Sequence, residues 1–355
     1  MEYITYVCLA VAALAALDRI TGSRLGLGTD LEKGIETLGP LTLSMAGMII
    51  VSPFLAQLLG KISGIFPSFI DFSVVPACFL ANDMGGGHLA LQLAEDERIG
   101  YFNGLVVASM MGCTTSFTIP FALQMTDKKQ HSDIIFGLLC GMLSLPFGCI
   151  AGGLLAGIPF LQLLACLIPL FVFVAIIAVG ILKFESITIR IFKGFAWGIK
   201  AVITFGLFAG IVEYLTGFAL LPQMETLDNA MDIIINIMCI MAGAFPLLSL
   251  LKKLLRKVFA AMGGKLGINE TSAFGFLTSA GSSVATFEMA KDMDKKGLVL
   301  NAAFTVGGSF VFVDHLAFAM SFNADYVPAM IVGKLCAGVL GVVFAVLLYG
   351  RKEKK

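Results

Sequence analysis

The chain has 355 residues, of which 58% are hydrophobic and 14% charged, with zero formal net charge and a mean hydropathy of +0.94. A soluble domain carries roughly a quarter charged residues. A chain this apolar cannot hide its surface from water, so its composition excludes a soluble fold and points to an integral membrane protein.

In chain order, the first apolar run is Ile4–Leu17, preceded by Glu2 and free of Lys and Arg. That pattern predicts a retained first span rather than a cleaved signal peptide. Residues 18–36 read as a polar, glycine-rich loop. Thr37–Gly60 is a clear span, as is Ile99–Thr126. Ile134–Leu182 carries no charge and is long enough for two spans, broken at Gly157-Ile158-Pro159. Ala201–Leu221, containing Glu213, and Ile233–Leu251 follow. Gly297–Asn323 is interrupted by Asp314-His315, and Tyr326–Gly350 by Lys334.

Two segments resist a simple crossing. Ile62–Ala94 holds Asn82-Asp83-Met84-Gly85-Gly86-Gly87 at its centre, and Leu266–Ala290 holds Ser279-Ala280-Gly281-Ser282-Ser283. If both cross, the chain has eleven spans and its Lys and Arg divide almost evenly between the two faces. If both dip in and return, nine spans remain. Lys61 and Arg98 then lie on one face, Lys334 lies within a span, and every other Lys and Arg lies on the opposite face. Such a bias marks a cytoplasmic face.

The expected fold is therefore an all-α polytopic membrane protein of about nine transmembrane helices and two re-entrant helical hairpins. The N-terminus is outside and the C-terminus cytoplasmic, with eleven spans as the alternative. The hairpins, near 62–97 and 258–291, enter from opposite faces, as in inverted repeats. The halves align in register. Met45-Ala46-Gly47 recurs as Met241-Ala242-Gly243, Phe121-Ala122 as Phe318-Ala319, and Gly137 with Cys140 as Gly333 with Cys336. The organisation expected is a first repeat over 1–157, a connecting helix and loop over 158–195, a second repeat over 196–350 and a charged cytoplasmic tail at 351–355.

Broken backbone inside a membrane must be buried in protein or line a cavity, and transporters bind substrate at such breaks. Asn82, Asp83, Gly85 and Gly86 are accordingly the leading candidates, although the same residues suit a tight turn capped by Asx side chains. The repeat sets Thr114, Thr115 and Phe117 against Phe312, Asp314 and His315, and sets Ser282 and Ser283 at the second break. A charge at mid-bilayer costs about 2.5–3.5 kcal/mol on insertion scales. Asp314 therefore needs a use or a partner, and Lys334 is the obvious ion-pair partner. Glu213 stands between a functional role and a snorkelling edge position. Gly137 and Gly141 are spaced for close helix packing, and Asn269-Glu270-Thr271 matches a glycosylation sequon.

The eight cysteines, Cys8, Cys78, Cys113, Cys140, Cys149, Cys166, Cys239 and Cys336, sit in apolar stretches without metal-ligand spacing, as packing residues do. The chain has no phosphate-binding G-x-x-x-x-G-K-[ST], nucleophile elbow or zinc motif. Neither a cofactor, a metal, ATP coupling nor enzymatic activity is expected.

The sequence resembles the ethanolamine permeases of bacterial ethanolamine-utilisation operons (the EutH family). The matching stretches are Asp18-Arg19-Ile20, Asp83-Met84-Gly85-Gly86, Ile119-Pro120, Gly148-Cys149-Ile150-Ala151-Gly152-Gly153, Asp314-His315-Leu316 and Met330-Ile331-Val332-Gly333-Lys334-Leu335, running in family order from end to end. The resemblance implies import of ethanolamine, as ethanolammonium, across the cytoplasmic membrane for catabolism. Its partners would be a small amine substrate and the lipid bilayer, without nucleic acid; self-association is left open. The resemblance further implies that Asp83 or Asp314 meets the ammonium and that Phe117 or Phe312 adds a cation–π contact. Asn82, Ser282, Ser283, Thr114 or Thr115 would hold the hydroxyl. The chain departs from the family in having Asn82 where a small residue or Cys precedes Asp-Met-Gly-Gly. It also has Ser282, Ser283 and Ala285 in place of an Asn pair and a Pro. Those departures keep open an ion-coupled transporter of another small amine or amino acid. A non-transporting membrane enzyme or assembly subunit is the remaining alternative.

Overall fold

The computed structural model describes residues 2–67 and 69–352, and their regular secondary structure is all helical, with no strand among them. Of the expected tail at 351–355, Glu353 to Lys355 lie outside the described residues. Helix α1 (Glu2–Ile20) ends where the Asp18 carboxylate accepts the backbone N–H groups of Leu25 and Gly28, both at 2.9 Å. The expected polar loop is partly helical. Helix α2 (Leu27–Glu36) forms there, with Gly34 against the backbone of Ala242, too close for any side chain at position 34. Helix α3 (Leu38–Leu41) passes through a π-helical turn, Thr42–Ala46, into α4 (Gly47–Ser63). Pro53 inside α4 has no N–H, which frees the Ile49 carbonyl; Ser52 Oγ donates to it at 3.0 Å.

The chain then makes α5 (Val74–Phe79), a break, and α6 (Gly86–Leu93). The Asp71 carboxylate accepts the Glu95 N–H at 3.1 Å, so this segment begins and ends at the same place. Helix α7 (Glu97–Phe102) continues through π-helical stretches, Asn103–Gly112 and Thr114–Thr118, into α8 (Ile119–Met125). This 29-residue run is the most enclosed of the long helices: 89% of its most apolar window is buried inside the protein. Helix α9 (His131–Leu155) and α10 (Phe160–Thr216) are separated at the expected Gly157–Pro159 break, and α10 is kinked at Phe184, whose backbone is not helical.

Helix α11 (Leu227–Leu266) runs on through Lys252 and Lys253, so residues 258–266 belong to it rather than to a hairpin. A second helix–break–helix unit follows, α12 (Glu270–Ser279) and α13 (Ser283–Glu288). Its ends also meet: the Asp294 carboxylate accepts the Asn269 N–H and the Ser272 hydroxyl, each at 2.8 Å. Asn269 caps α12 through its own side chain, which accounts for the residue without glycosylation. Helix α14 (Lys295–Gly308) breaks at 309–313 before α15 (Asp314–Asn323), and α16 (Val327–Lys352) closes the described chain.

Helices α9, α14 and α16 pack at backbone contact. Gly137 and Gly141 of α9 press on the Val299 and Ala303 carbonyls of α14, and Gly148 presses on the Gly333 carbonyl of α16. Small residues allow this approach where no hydrophobic force separates helix from lipid. Seven helical stretches among the described residues are long and apolar enough to span a membrane. The expected count of nine differs at two places. The 19-residue α1 is near the minimum length. The break at 309–313 leaves α14 with 14 residues and joins α15 to α16 in one stretch. The chain is thus an all-helical, multi-pass membrane protein.

Candidate functional site

The first break is built by local rules. Leu80 and Ala81 are extended, Asn82–Met84 make one 3-10 turn, and Gly85 takes φ 99°, the left-handed region that a side chain disfavours. Gly86 then lies against the Leu80 and Ala81 carbonyl oxygens, and its N–H donates to Ala81 at 2.9 Å. The glycines therefore serve the turn itself. Neighbouring hydroxyls hold the tip: Ser116 Oγ accepts the Ala81 N–H at 3.2 Å, and Thr115 Oγ1 donates towards the Cys78 and Phe79 carbonyls at 2.9 and 3.1 Å. This arrangement aims Asn82 and Asp83 into the protein. Asn82 is fully buried, yet neither its Oδ1 nor its Nδ2 has a partner, and Asp83 Oδ1 is buried and equally unpaired. Orphaned buried polar atoms are rare and need an explanation.

The break between α14 and α15 faces this tip. Phe310 adopts φ 61°, an outlier for a bulky residue. Its N–H donates to the Ser279 carbonyl at 3.0 Å, and the Phe312 N–H to the Ala280 carbonyl at 3.0 Å, so the second break is docked backbone to backbone. Helix α15 then starts at Asp314 and His315. His315 is buried, with Nε2 4.0 Å from Asp83 Oδ1 and Nδ1 unpaired. Its ring lies 5.3 Å from Phe310, which is edge-on to Phe117 at 5.8 Å, and Phe117 stacks on Phe121 at 5.3 Å. Lys334 of α16 is fully buried and donates to the Ser109 carbonyl at 2.6 Å. Asp83 lies within electrostatic reach of both Lys334 and Asp314.

The structure thus brings together Asn82, Asp83, Asp314, His315, Lys334 and Phe117. Other candidates fall elsewhere. The expected Asp314–Lys334 ion pair does not form within 4 Å, because the π-helical register leaves the Ser109 carbonyl to take the ammonium. Phe312 is displaced from the site: its ring joins Phe259, Leu335 and Val339 along an apolar groove, and Phe310 takes the place beside His315. Thr114 is occupied by the Met110 and Val306 carbonyls, and Thr115 is a tie between elements. Ser282 is half-buried, its N–H donating to the Thr278 carbonyl, whereas Ser283 is buried with an unpaired hydroxyl. The structure pairs neither serine with Asp83, Asp314 or His315. Glu213 lies in the last turn of α10, half-exposed and apart from the cluster, as an edge residue would.

Sequence reasoning missed Phe310 and His88. His88 is one of only three histidines in the chain, and that rarity within an apolar stretch was the available signal. A cavity of about 310 Å³, lined by Met84, Ser116, Phe117, Phe121, Gln124 and Lys200 among others, reaches the first tip from one end of the molecule. A larger cavity of about 910 Å³ at the same end shares Gln124 and is rimmed by Lys128, His131 and Lys193.

Residues 1–348 match the family described as "Ethanolamine utilisation protein, EutH". The probable ethanolamine permease EutH of Listeria monocytogenes is 38% identical over all of this chain and 95% of that protein. The probable ethanolamine permease EutH of Escherichia coli K12 is 33% identical over 99% of this chain and 96% of its own length. Bacillus subtilis YxeR is 34% identical over 97% of this chain and 94% of its own. No solved structure matches the chain. A profile match along almost the whole sequence, together with relatives matched over nearly their full length, places this chain in the EutH ethanolamine utilisation protein family.

Proposed function

We propose that this protein is a permease that imports ethanolamine, as ethanolammonium, across the bacterial cytoplasmic membrane by alternating access, for ethanolamine catabolism. The observation that carries the reading is the set of orphaned groups where two broken segments meet: the Asn82 amide, Asp83 Oδ1 and His315 Nδ1. A buried carboxylate without a full partner costs several kcal/mol, on the order of what a bound cation recovers. Asp83 receives the ammonium, the Asn82 amide receives the hydroxyl, and Asp314 supplies further negative potential. Lys334, held by the Ser109 carbonyl, limits the net charge of the empty site. Phe117 and Phe310 give the ammonium an aromatic wall.

Several observations favour nine spans, two opposed hairpins and inverted repeats over 1–157 and 196–350. Helices α9 and α16 begin and end 196 to 197 residues apart, counting from His131–Leu155 to Val327–Lys352. Asp96 and Asp294 cap the helices that leave the two hairpins. Lys253 donates to the Leu25 carbonyl and Gln130 to the Ala290 carbonyl, which groups the basic loops on one face; Tyr326 reaches the Arg98 carbonyl on the other. With the basic face cytoplasmic, the N-terminus is outside, the C-terminus inside, and the cavities at Gln124 open inward. Uptake of labelled ethanolamine by an Asp83→Asn variant tests the site, and unchanged uptake at low substrate concentration would sink it. A second reading, another small amine carried with a coupled ion, is favoured by Asn82 and by the Ser282-Ser283 pair in place of the family's residues. Competition by candidate amines in proteoliposomes, under a proton or a sodium gradient imposed singly, separates the two.

A further inference from the structure

One face of α15 continues from the site towards the Arg98 end of the molecule. His315, Phe318 and Phe322 recur at helical spacing along about 10 Å of axis. Phe318 abuts Gly87, where a Cβ would stand 2.8 Å from its ring. Phe318 stacks on Phe322 at 5.2 Å, and His88 stands nearly perpendicular to both rings, at 5.9 and 4.8 Å. Tyr101 meets Phe322 at 5.8 Å and Tyr326 at 5.4 Å. Burial rises along this column. The Tyr326, Tyr101, Phe322 and His88 side chains are half-buried, and Phe318 is 1% exposed. At its mouth lie Glu95, Asp96, Glu97 and Asp325, with Arg98 paired to Asp96 at 2.9 Å.

Ring packing alone would be served by phenylalanine at position 88. Instead an imidazole stands edge-on against the stacked pair of phenylalanines with Nε2 buried and unpaired, an acceptor beside an aromatic column when the ring proton is on Nδ1. An acidic rim, π-faces and a waiting acceptor together suit a small primary ammonium ion, attracted by charge, passed between ring faces and handed to Asp83. We propose that the column Tyr326, Tyr101, Phe322, His88 and Phe318 is the outer access path and outer gate for such cations, with His88 as an intermediate binding residue. In this conformation the rings are in contact, so the gate is shut while the cavities at Gln124 approach the site from the other face. The proposal rests on the transport reading and on its assignment of the Arg98 end to the outside.

The test joins kinetics to labelling. Tyr101→Leu and Phe322→Leu should raise the KM for labelled ethanolamine by about tenfold, with the maximal rate kept within about threefold, as loss of a desolvated cation–π contact would. Tyr101→Phe and Phe322→Tyr, which keep the ring, should restore it. A membrane-impermeant maleimide should modify Phe322→Cys from outside, and ethanolamine should slow the reaction. The background carries Cys239→Ser and Cys336→Ser, because the other cysteines are buried. A KM within about twofold of wild type in both leucine variants, or labelling from the cytoplasmic face alone, overturns the column. Absence of ethanolamine uptake by the wild type overturns the substrate reading instead, and the labelling still decides the column.

Discussion

At Leu80–Gly85 the chain leaves its helix in a glycine turn that rests on hydroxyls of the neighbouring helix. At Ala280–Ser282 it leaves a helix against a second broken strand of backbone, Phe310 to Phe312, and the two share N–H···O bonds. Both solve the same problem, since backbone shielded from water must find partners within the protein. The first solution uses side chains of its neighbour, which leaves the tip's own Asn82 amide and Asp83 Oδ1 without hydrogen-bond partners. The second also uses its own side chains: Ser279 and Thr286 bond each other at 2.9 Å, and Thr286 contacts the Gly275 carbonyl. On the proposed transport reading, the first break is the site and the second a scaffold that positions α15.

The largest test of that contrast is functional. Asp83→Asn should lower uptake at low substrate by roughly 100-fold, the size of a lost charge-assisted contact. Ser283→Ala at the second break should leave it within about threefold, since one neutral hydroxyl is worth about 1 kcal/mol. Equal losses would erase the distinction. Next comes packing. Gly86→Ala drives a Cβ into the Leu80 and Ala81 carbonyls and should cost about 3 kcal/mol or more. Gly281→Ala meets chiefly the flexible end of Leu248 and should cost about 1 kcal/mol. Thermal unfolding in detergent compares the pair.

Smaller again are the ties. Thr115→Val and Thr286→Val should each destabilise by about 1–2 kcal/mol, but only the former should also weaken uptake, because it loosens the tip that bears Asp83. Measuring stability and uptake on the same preparations separates these effects.

The least effect is expected at the helix caps Asp96 and Asp294. Arg98 holds the Asp96 carboxyl below its ordinary value of 3.8. Burial pushes Asp294 up, but the Asn269 N–H, the Ser272 hydroxyl and the Gly297 N–H outweigh it and hold this carboxyl low as well. A depressed folded-state value stabilises the fold above the ordinary value and ceases to do so as pH falls below it. The caps should therefore persist from about pH 7 to about pH 5 and weaken only under stronger acid. Asp294→Ala should cost about 1 kcal/mol and Asp96→Ala about half as much, because Asp96 is solvent-screened. Unfolding midpoints across pH would show it.

Much of this was legible from the chain alone. Long uncharged runs specify helices in lipid, because every backbone group must be satisfied within its own segment. Glycine and proline mark where those helices stop, as at Gly157–Pro159 and Asn82–Gly87. Asp83, Asp314, His315 and Lys334 stood out because charge is rare inside such runs. What the sequence could not determine was the direction of each side chain beyond a break. Helical spacing carries a side chain's face from one residue to the next only while the helix is unbroken. At Phe310, with φ 61°, that phase is lost. Phe310 rather than Phe312 consequently turns to His315, the π-helical stretch presents the Ser109 carbonyl to Lys334 in place of Asp314, and His88 lands among phenylalanines from another helix. Lipid solvation selected the elements locally; contacts between residues distant in sequence selected which side chains face one another.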